Sequence, residues 1–249
     1  MIRKGRALRY FFLALRFLTI IPVPKGEDPW PEDLGISAAF YPLIGGLIGG
    51  MLWGTWVLLG SRTPPGVKAF LLLAVWVIST GALHVDGFLD TCDGVFGGMT
   101  PERRLEIMHD VHYGSFALAG GALLFIGKYA GLTSMTSPAL LLLPPVLGRW
   151  GMVLSIWAFP YARREGLGGK VKEGVNVWVL FIAFASSLAF ATFFGWRGAA
   201  VWGVGSAFAL TLAKYVSVKL GGGLTGDVYG AICEVIELVV LLGVVFCRC

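Results

Sequence analysis

The chain alternates between long apolar stretches and shorter polar segments. Seven of the apolar stretches approach the roughly 20 residues that a helix needs to cross a hydrocarbon core of about 30 Å. Their approximate bounds are 36–60, 67–83, 115–134, 139–160, 176–195, 199–217 and 231–247. The first stretch contains Gly45, Gly46, Gly49 and Gly50, a face of small residues that lets another helix approach closely. The pattern predicts an all-α, polytopic membrane helix bundle with about seven transmembrane helices.

Composition supports this fold class and a single integral membrane domain, 1–249. Of the 249 residues, 56% are hydrophobic and 14% are charged, whereas a soluble domain carries about 25% charged residues. The N-terminal apolar segment contains Arg16 and ends in Pro22 and Pro24 with no small-residue cleavage site, so we expect a retained interfacial or re-entrant helix. The net charge of +5 fits membrane topology, and we expect no nucleic-acid partner, because no basic tract with interleaved aromatics lies beyond the extreme N-terminus.

The segments between the apolar stretches differ in charge. Three are short and hold little charge, near 61–66, 135–138 and 196–198. Three are longer, polar and basic, namely 84–114, 161–175 and 218–230. With seven spans, the N-terminal residues Arg3, Lys4, Arg6 and Arg9 fall on the same side as the basic segments. The positive-inside rule then places all of them in the cytoplasm, which predicts one active site on the cytoplasmic face.

Three aspartates follow the second apolar stretch, in the segment ALHVDGFLDTCDGVFGG. Asp86, Asp90 and Asp93 are spaced i, i+4, i+7, which on a helix places all three on one face. Carboxylates at this spacing repel each other, and Mg²⁺, which takes oxygen ligands, offsets that repulsion. The alternative is a solvated helix start with incidental acids. We predict a Mg²⁺ site, because charge at membrane depth is expensive and usually functional.

A second acidic set begins the last apolar stretch. Asp227, Glu234 and Glu237 are spaced i, i+7, i+10, again on one helical face. An unpaired acid inside a span is costly, so these residues need a cation, a proton or a hydrogen-bonded partner. The alternative is a flexible connector whose acids favour a helix N-terminus. We predict that the three acids close the same site as the aspartates, with Glu234 as a further metal ligand and Glu237 as a substrate ligand.

Polar residues between and within the spans are candidates for binding an anionic substrate, namely Arg103, His109, Asp110, Lys128, Arg149, Arg163 and Arg164. For Arg103 and His109, a plain amphipathic helix face explains the pattern equally well. The basic, glycine-rich segment 161–175 is explained equally well as a mark of the cytoplasmic side. Lys128 and Arg149 interrupt predicted spans, where cations are functional candidates, although a long Lys side chain can also reach the interface.

Six stretches, in this order along the chain, carry a family resemblance: RFLTIIPVP (16–24), YPLIGGLIG (41–49), TGALHVDGFLDTCDGVFGG (80–98), RRLEIMHDVHYGSF (103–116), YARREGLG (161–168) and LGGGLTGDVYGAICEVIE (220–237). With these motifs the chain resembles the adenosylcobinamide-GDP ribazoletransferase, or cobalamin synthase, family over nearly its whole length. The stretch TGALHVDGFLDTCDG is the most specific of them. His109 stands where the family often has Lys or Arg.

The resemblance implies a Mg²⁺-dependent phosphotransferase of the prokaryotic inner membrane, acting in the last steps of cobalamin biosynthesis. α-Ribazole, or its 5′-phosphate, attacks the pyrophosphate of adenosylcobinamide-GDP and gives adenosylcobalamin, or its phosphate, and GMP. Mg²⁺ at the three aspartates polarises the phosphoryl oxygens, and Asp93 or Asp227 accepts the hydroxyl proton. Which acid binds metal and which is the base stays open. The implied partners are both substrates, the lipid bilayer, and further copies of the chain or other corrinoid-assembly enzymes.

Two other functions share some of these features. A membrane phosphotransferase of the CDP-alcohol type also uses aspartates and Mg²⁺, but the Ala-Arg step that follows its Asp-Gly pair is absent after Asp86. A cation-coupled transporter would place polar groups near the bilayer midplane, whereas most acids here cluster at one face. The nucleotide that is released distinguishes the three functions. A ribazoletransferase releases GMP, a CDP-alcohol phosphotransferase releases CMP, and a transporter releases no nucleotide.

Overall fold

The computed structural model describes residues 7–24, 30–163 and 166–246. In this part of the chain nearly every element is a helix, and an isolated β-bridge joins Tyr161 to Leu224. The elements are α1 (Ala7–Leu18), α2 (Pro31–Ser37), a 3₁₀ helix (Ala38–Phe40), α3 (Tyr41–Leu59), α4 (Pro65–Ser79), α5 (Leu83–Gly97), α6 (Pro101–Ile107), α7 (Ser115–Thr133), a second 3₁₀ helix (Pro138–Leu142), α8 (Leu143–Ala158), α9 (Leu167–Gly174), α10 (Val177–Thr192), α11 (Gly195–Lys219) and α12 (Gly226–Phe246).

Five helical segments of the described chain are long and apolar enough to cross a membrane. They are Glu32–Leu59, Ser115–Thr133, Pro138–Ala158, Gly195–Lys219 and Gly226–Phe246. Two more spans arise if each of two bent helix pairs counts as one, namely α4 with α5, bent by 90°, and α9 with α10, bent by 92°. The prediction of an all-α, polytopic membrane bundle with about seven spans is confirmed.

The predicted N-terminal helix is present as α1 and is amphipathic. Tyr10, Ala14, Leu15 and Leu18 are buried at helical spacing, whereas Arg16 is exposed. The helix therefore packs one apolar side on the bundle, and its place relative to the bilayer stays a prediction. Outside the described residues lie three of the basic residues expected in the cytoplasm: Arg3, Lys4 and Arg6.

A sharp bend before α5 sets the direction of the aspartate helix. Gly81 and Ala82 have left-handed φ values of 59° and 57°. This conformation costs an L-residue such as alanine about 1–2 kcal/mol, so the surrounding packing must hold it. The predicted span 67–83 is therefore too long at its end, because α4 stops at Ser79. The polar segment 84–114 contains α5, which carries the three aspartates on one helix as their spacing predicts, and the short helix α6.

Helix α12 packs against α5, α7, α8 and α11, while α3 packs on α8. Two of the α3 glycines provide the predicted close approach. A Cβ on Gly49 would lie 2.7 Å from the Cα of Leu142, and Gly45 faces the backbone of Pro145. Gly50 has no neighbour within 4 Å of such a Cβ. The packing of α12 on α5 brings together two acidic segments that are far apart in the sequence.

Candidate functional site

Helices α5 and α12 meet at positions that lack side chains. A Cβ on Gly87 would lie 2.7 Å from the carbonyl oxygen of Asp227, and one on Gly230 would lie 3.2 Å from the Cα of His84. Glycine at these two positions lets the backbones approach to contact distance, and a larger residue would force the helices apart. The contact holds Asp227 beside the aspartates of α5.

Two of the three α5 aspartates are accessible. Asp86 is exposed and accepts a hydrogen bond of 2.5 Å from the Tyr113 hydroxyl, whereas Asp90 is half-buried. This hydrogen bond raises the pKa of Tyr113 to about 12, because only the protonated phenol can donate it. Asp90 lies near enough to Asp86 and Asp227 for their negative charges to act on it, and Arg163 partly offsets that repulsion. The α5–α12 contact therefore concentrates negative charge.

Asp93 is buried and caps helix α7. Its Oδ2 accepts a hydrogen bond from the backbone N–H of Gly114 (2.5 Å), and its Oδ1 accepts one from Ala117 (2.8 Å). These N–H groups belong to a helix N-terminus, which leaves them without partners inside the helix. Asp93 thus fastens α5 to α7. Service as a metal ligand or base, as the sequence predicts for it, requires these hydrogen bonds to be shared or released.

Asp227 pairs with a cation from the basic segment after α8. Nη1 of Arg163 lies 3.0 Å from Oδ2 of Asp227, and its Nη2 donates to the carbonyl oxygen of Met108 (3.4 Å). The buried Nε of Arg163 makes no hydrogen bond within the described chain. The two side chains are 16% and 26% exposed, so solvent weakens the pair and a ligand can compete for either partner.

Backbone contacts hold the segments around Asp227 together. The N–H of Leu224 donates to Pro160 (2.9 Å), and the N–H of Ala162 donates to Leu224 (2.8 Å). A Cβ on Gly168 would lie 2.9 Å from the Cα of Gly226. The basic segment that carries Arg163 is therefore fixed directly against the N-terminus of α12.

A second group of charges is buried between the spans, and we call Lys128, Arg149, Glu234 and Glu237 the charge cluster. Nζ of Lys128 lies 2.6 Å from Oε2 of Glu234 and 2.5 Å from Oε2 of Glu237. Arg149 pairs with the other oxygen of Glu237, to which Nε1 of Trp76 also donates (3.3 Å). Two cations face two acids, and mutual compensation of this kind is what makes buried charge tolerable.

The sequence predicts Glu234 as a metal ligand and the other three cluster residues as substrate ligands. In the structure each of the four has an oppositely charged partner inside the cluster. Lys128 and Arg149 are therefore the cations that the sequence analysis required for Glu234 and Glu237. The cluster reaches the α5–α12 contact through His84, whose Nδ1 lies 3.4 Å from Nη2 of Arg149. The cluster therefore contacts the helix that carries the aspartates, and none of its four residues lines the cavity described next.

A cavity of about 170 Å³ opens beside the α5–α12 contact. Asp86 and Asp227 line it, together with His84 and Tyr229. Most of the remaining wall is apolar and includes Phe17, Tyr41, Met152, Ile156, Leu167 and Val171. Apolar walls with a few placed polar groups are typical of small-molecule sites.

Several predicted substrate ligands take no part in the contacts described above. Arg103 is exposed and pairs with a glutamate three residues on, at 2.6 Å. Asp110 is exposed and accepts hydrogen bonds from the ring and backbone of His112, which lower its pKa. His109 is exposed on the same connection. Arg164 lies outside the described residues, so the structure does not place it.

The described residues include no group of three or more His, Cys, Asp or Glu side chains arranged to hold a metal ion. The donor chemistry at the α5–α12 contact nevertheless suits Mg²⁺. Asp86, Asp90 and Asp227 offer only hard oxygen atoms, and their mutual repulsion is offset in part by Arg163. Side-chain rotation is needed to turn these three carboxylates into one ligand set.

Sequence reasoning missed His84, Tyr113 and Tyr229. His84 stands two residues before Asp86, and Tyr229 stands two residues after Asp227. Both therefore start the helices that carry the acids. Polar aromatic residues in such positions are a usable signal, but a weak one, because tyrosine and histidine are also common as ordinary, partly buried residues.

The chain is similar to known proteins over nearly its whole length. The family model for cobalamin-5-phosphate synthase matches residues 10–245. A protein of Desulfitobacterium hafniense (strain Y51), named adenosylcobinamide-GDP ribazoletransferase, is 40% identical over 247 residues, covering 95% of this chain and 96% of the relative. Proteins of the same name from Deinococcus radiodurans and Roseiflexus sp. (strain RS-1) are 37% and 40% identical, covering 96% and 92% of this chain and 86% of each relative. No solved structure matches the chain.

Proposed function

We propose, since the chain belongs to the cobalamin-5-phosphate synthase family, that it catalyses ribazole transfer in the final steps of cobalamin biosynthesis. The adenosylcobinamide-phosphate group passes from adenosylcobinamide-GDP to α-ribazole, or to its 5′-phosphate, and GMP is released. The observation that carries this proposal is the meeting of Asp86 and Asp227 at one cavity, beside the guanidinium of Arg163. Two carboxylates, a guanidinium and a cavity for a ligand thus lie next to one another.

The transfer exchanges one phosphorus–oxygen bond for another. A ribose hydroxyl oxygen of ribazole bonds to the phosphorus that carries the cobinamide, the bond from that phosphorus to GMP breaks, and GMP leaves with the electron pair. The hydroxyl proton goes to a base. We assign this role to Asp227, because this residue lines the cavity and its carboxylate pairs with Arg163.

Arg163 is the proposed ligand of the pyrophosphate. Its guanidinium lies beside Asp227, and its buried Nε–H has no hydrogen-bond partner among the described residues. Charge-assisted hydrogen bonds from a guanidinium suit phosphate oxygens, and they strengthen as negative charge develops on the leaving group. A phosphate that takes up this donor would stand next to the proton acceptor.

Mg²⁺ is the proposed cofactor, and Asp86 and Asp90 would hold it with Asp227 within reach. When bound, the ion supplies charge stabilisation at the phosphoryl oxygens. Asp93 and Glu234, also predicted as ligands, already have partners in the α7 backbone and in the charge cluster. We therefore give those two residues positioning roles.

We place the site on the cytoplasmic face of the prokaryotic inner membrane. The three basic segments support this placement because they contact each other. Nη1 of Arg104 donates to the carbonyl oxygen of Lys219 (2.9 Å), and Arg163 donates to Met108. A cysteine at the exposed Glu102 should resist an impermeant thiol reagent in intact cells and react after lysis. Labelling in intact cells would show that this face lies outside the cell, opposite to the proposed orientation.

Nucleotide release by the purified full-length protein tests the function. GMP should appear only when adenosylcobinamide-GDP and α-ribazole are both present, and chelation of Mg²⁺ should suppress it. Release of CMP from a CDP-alcohol would instead indicate the CDP-alcohol type of transferase. Absence of nucleotide release with either donor would contradict the proposal.

A further inference from the structure

Two polar atoms on the residues that line the cavity beside Asp86 and Asp227 are buried and make no hydrogen bond in the described part of the chain. They are Nε2 of His84 and the hydroxyl oxygen of Tyr229, and both residues line the cavity. The two residues are 2% and 3% exposed. A buried polar group without a partner is costly and rare in folded proteins. The pair therefore indicates a ligand that supplies the missing partners.

The position of the proton on His84 follows from its other neighbour. Nδ1 lies 3.4 Å from Nη2 of Arg149, and a guanidinium can only donate. Nδ1 is therefore the acceptor, so the neutral ring carries its proton on Nε2. Arg149 is itself held by Glu237, which fixes this arrangement from the charge cluster. His84 thus holds an unpaired hydrogen-bond donor, Nε2–H, among the residues that line the cavity.

The rest of the cavity suits a flat, largely apolar ligand. Its volume of about 170 Å³ exceeds that of the apolar cavity of about 150 Å³ which binds benzene in another protein. The walls are mostly hydrocarbon, so a base with several donors and acceptors, such as guanine, would lose hydrogen bonds to water without replacement. A benzimidazole has one acceptor nitrogen and a hydrocarbon edge, which matches one donor in an apolar recess.

We propose, building on the proposed function, that this cavity binds the benzimidazole base of ribazole. His84 donates through Nε2–H to the acceptor nitrogen of the base, and the Tyr229 hydroxyl bonds to the ribose. The ribose hydroxyls then lie at the Asp227 end of the cavity, and the guanine nucleotide remains outside. His84 and Tyr229 are thus specificity-determining residues for the acceptor substrate.

A change in the ligand tests the hydrogen bond to His84 without any mutation. The probes are α-ribazole and the matching indole riboside, in which carbon replaces the acceptor nitrogen. In equilibrium dialysis with purified full-length protein, the indole riboside should bind at least about tenfold more weakly, because it leaves the His84 donor unpaired. Equal binding of the two ribosides would overturn the proposal.

Variants of the protein show which residue distinguishes α-ribazole from the indole riboside. His84→Phe should bind the two ribosides within about twofold of each other, because the donor is gone. Tyr229→Phe should weaken both ribosides about three- to tenfold, the contribution of one hydrogen bond. The matched control is Tyr10→Phe, at a buried tyrosine that does not line the cavity, which should bind both ligands as the wild type does. A folded His84→Phe that still discriminates would contradict the assignment.

Binding and turnover separate this proposal from the proposed function. Nitrogen-dependent binding without GMP release would reject the reaction and leave the cavity assignment supported. GMP release without discrimination between the ribosides would reject the cavity assignment alone. If His84→Phe is not recovered in folded form, the relative affinities of the wild type and of Tyr229→Phe for the two ribosides still test the cavity assignment.

Discussion

The protein contains two groups of charged side chains that differ in their balance of positive and negative charge. In the charge cluster two cations face two acids, and each carboxylate is paired. At the α5–α12 contact, Asp86, Asp90 and Asp227 lie close together, and Arg163 pairs with one of them. The cluster is electrostatically complete without a ligand, whereas the contact retains excess negative charge. We infer that the first group supports the fold and that the second is kept for substrate and cation.

Burial explains why the same residue types serve different purposes. Inside the spans an uncompensated charge has no water to solvate it, so its partner must come from the protein. Asp86 is exposed, and water and salt screen the repulsion between acids there until a ligand arrives. An acid near a membrane span is thus a candidate ligand only where the protein has not already supplied its cation.

The largest effect is expected for Asp227→Asn. The substitution preserves size and removes the proposed proton acceptor, so kcat should fall about 10²- to 10⁴-fold while α-ribazole binding changes little. Glu102→Gln, at an exposed acid on α6, is the matched control and should stay within about twofold of the wild type. A near-normal kcat for Asp227→Asn would remove this residue from the mechanism.

Breaking the balance of the charge cluster should destabilise the fold. Lys128→Met leaves two buried acids short of a cation and should cost about 3–5 kcal/mol of unfolding free energy, measured by thermal denaturation in detergent. The double variant Lys128→Met with Glu234→Gln restores equal charges and should regain part of the loss. Unchanged stability of the single variant would show that the cluster is not a structural unit.

Arg163→Lys should weaken binding of the nucleotide substrate. Lysine keeps the charge but cannot offer the forked donors of a guanidinium, so KM for adenosylcobinamide-GDP should rise about tenfold. KM for α-ribazole should remain within about twofold. The matched control is Arg103→Lys, at an exposed arginine paired on its own helix. An equal rise for both variants would indicate a general loss of positive charge instead.

The smallest effect is expected for Tyr113→Phe, about threefold or less in rate, because its hydrogen-bond partner Asp86 is exposed. The pKa of Tyr113 is raised to about 12 from its ordinary value of about 10, so the folded protein binds this proton more tightly. The bond is therefore intact below about pH 10 and lost as the pH rises towards 12. A rate change below pH 9 that disappears in Tyr113→Phe would contradict this.

The spans are more predictable from the sequence than the bends between them. A span must be long and apolar, and this requirement is visible in composition alone. The 90° bend at Gly81 and Ala82 depends on an alanine in a left-handed conformation, which runs against its own preference. Backbone hydrogen bonds from Gly81 to Ile78 and from Ala82 to Val77 close the bend, and the N–H of Ile20 donates to Ser79 from a distant part of the chain. Local composition does not show these bonds, so the sequence of this segment does not reveal where α4 ends.

The candidate site is also only partly predictable from the sequence. The spacing of the α5 aspartates is visible in the sequence and predicts their shared helix. The pairing of Lys128 with Glu234 joins residues 106 positions apart, and it depends on how α7 packs against α12. The hydrogen bonds that Asp93 accepts from the start of α7 likewise arise from tertiary contact. Periodicity identifies which acids share a face, but it does not identify their partners.

Mg²⁺-dependent thermal stability separates the two groups of charges most directly. An ion that binds only the folded protein raises its unfolding midpoint. We predict that Mg²⁺ raises the midpoint of the wild type and of Glu234→Gln, although the latter starts from a lower value. The rise should be absent or much smaller in Asp86→Asn. A Mg²⁺ effect that persists in Asp86→Asn and disappears in Glu234→Gln would place the ion in the charge cluster and contradict the assignment of the site to the α5–α12 contact.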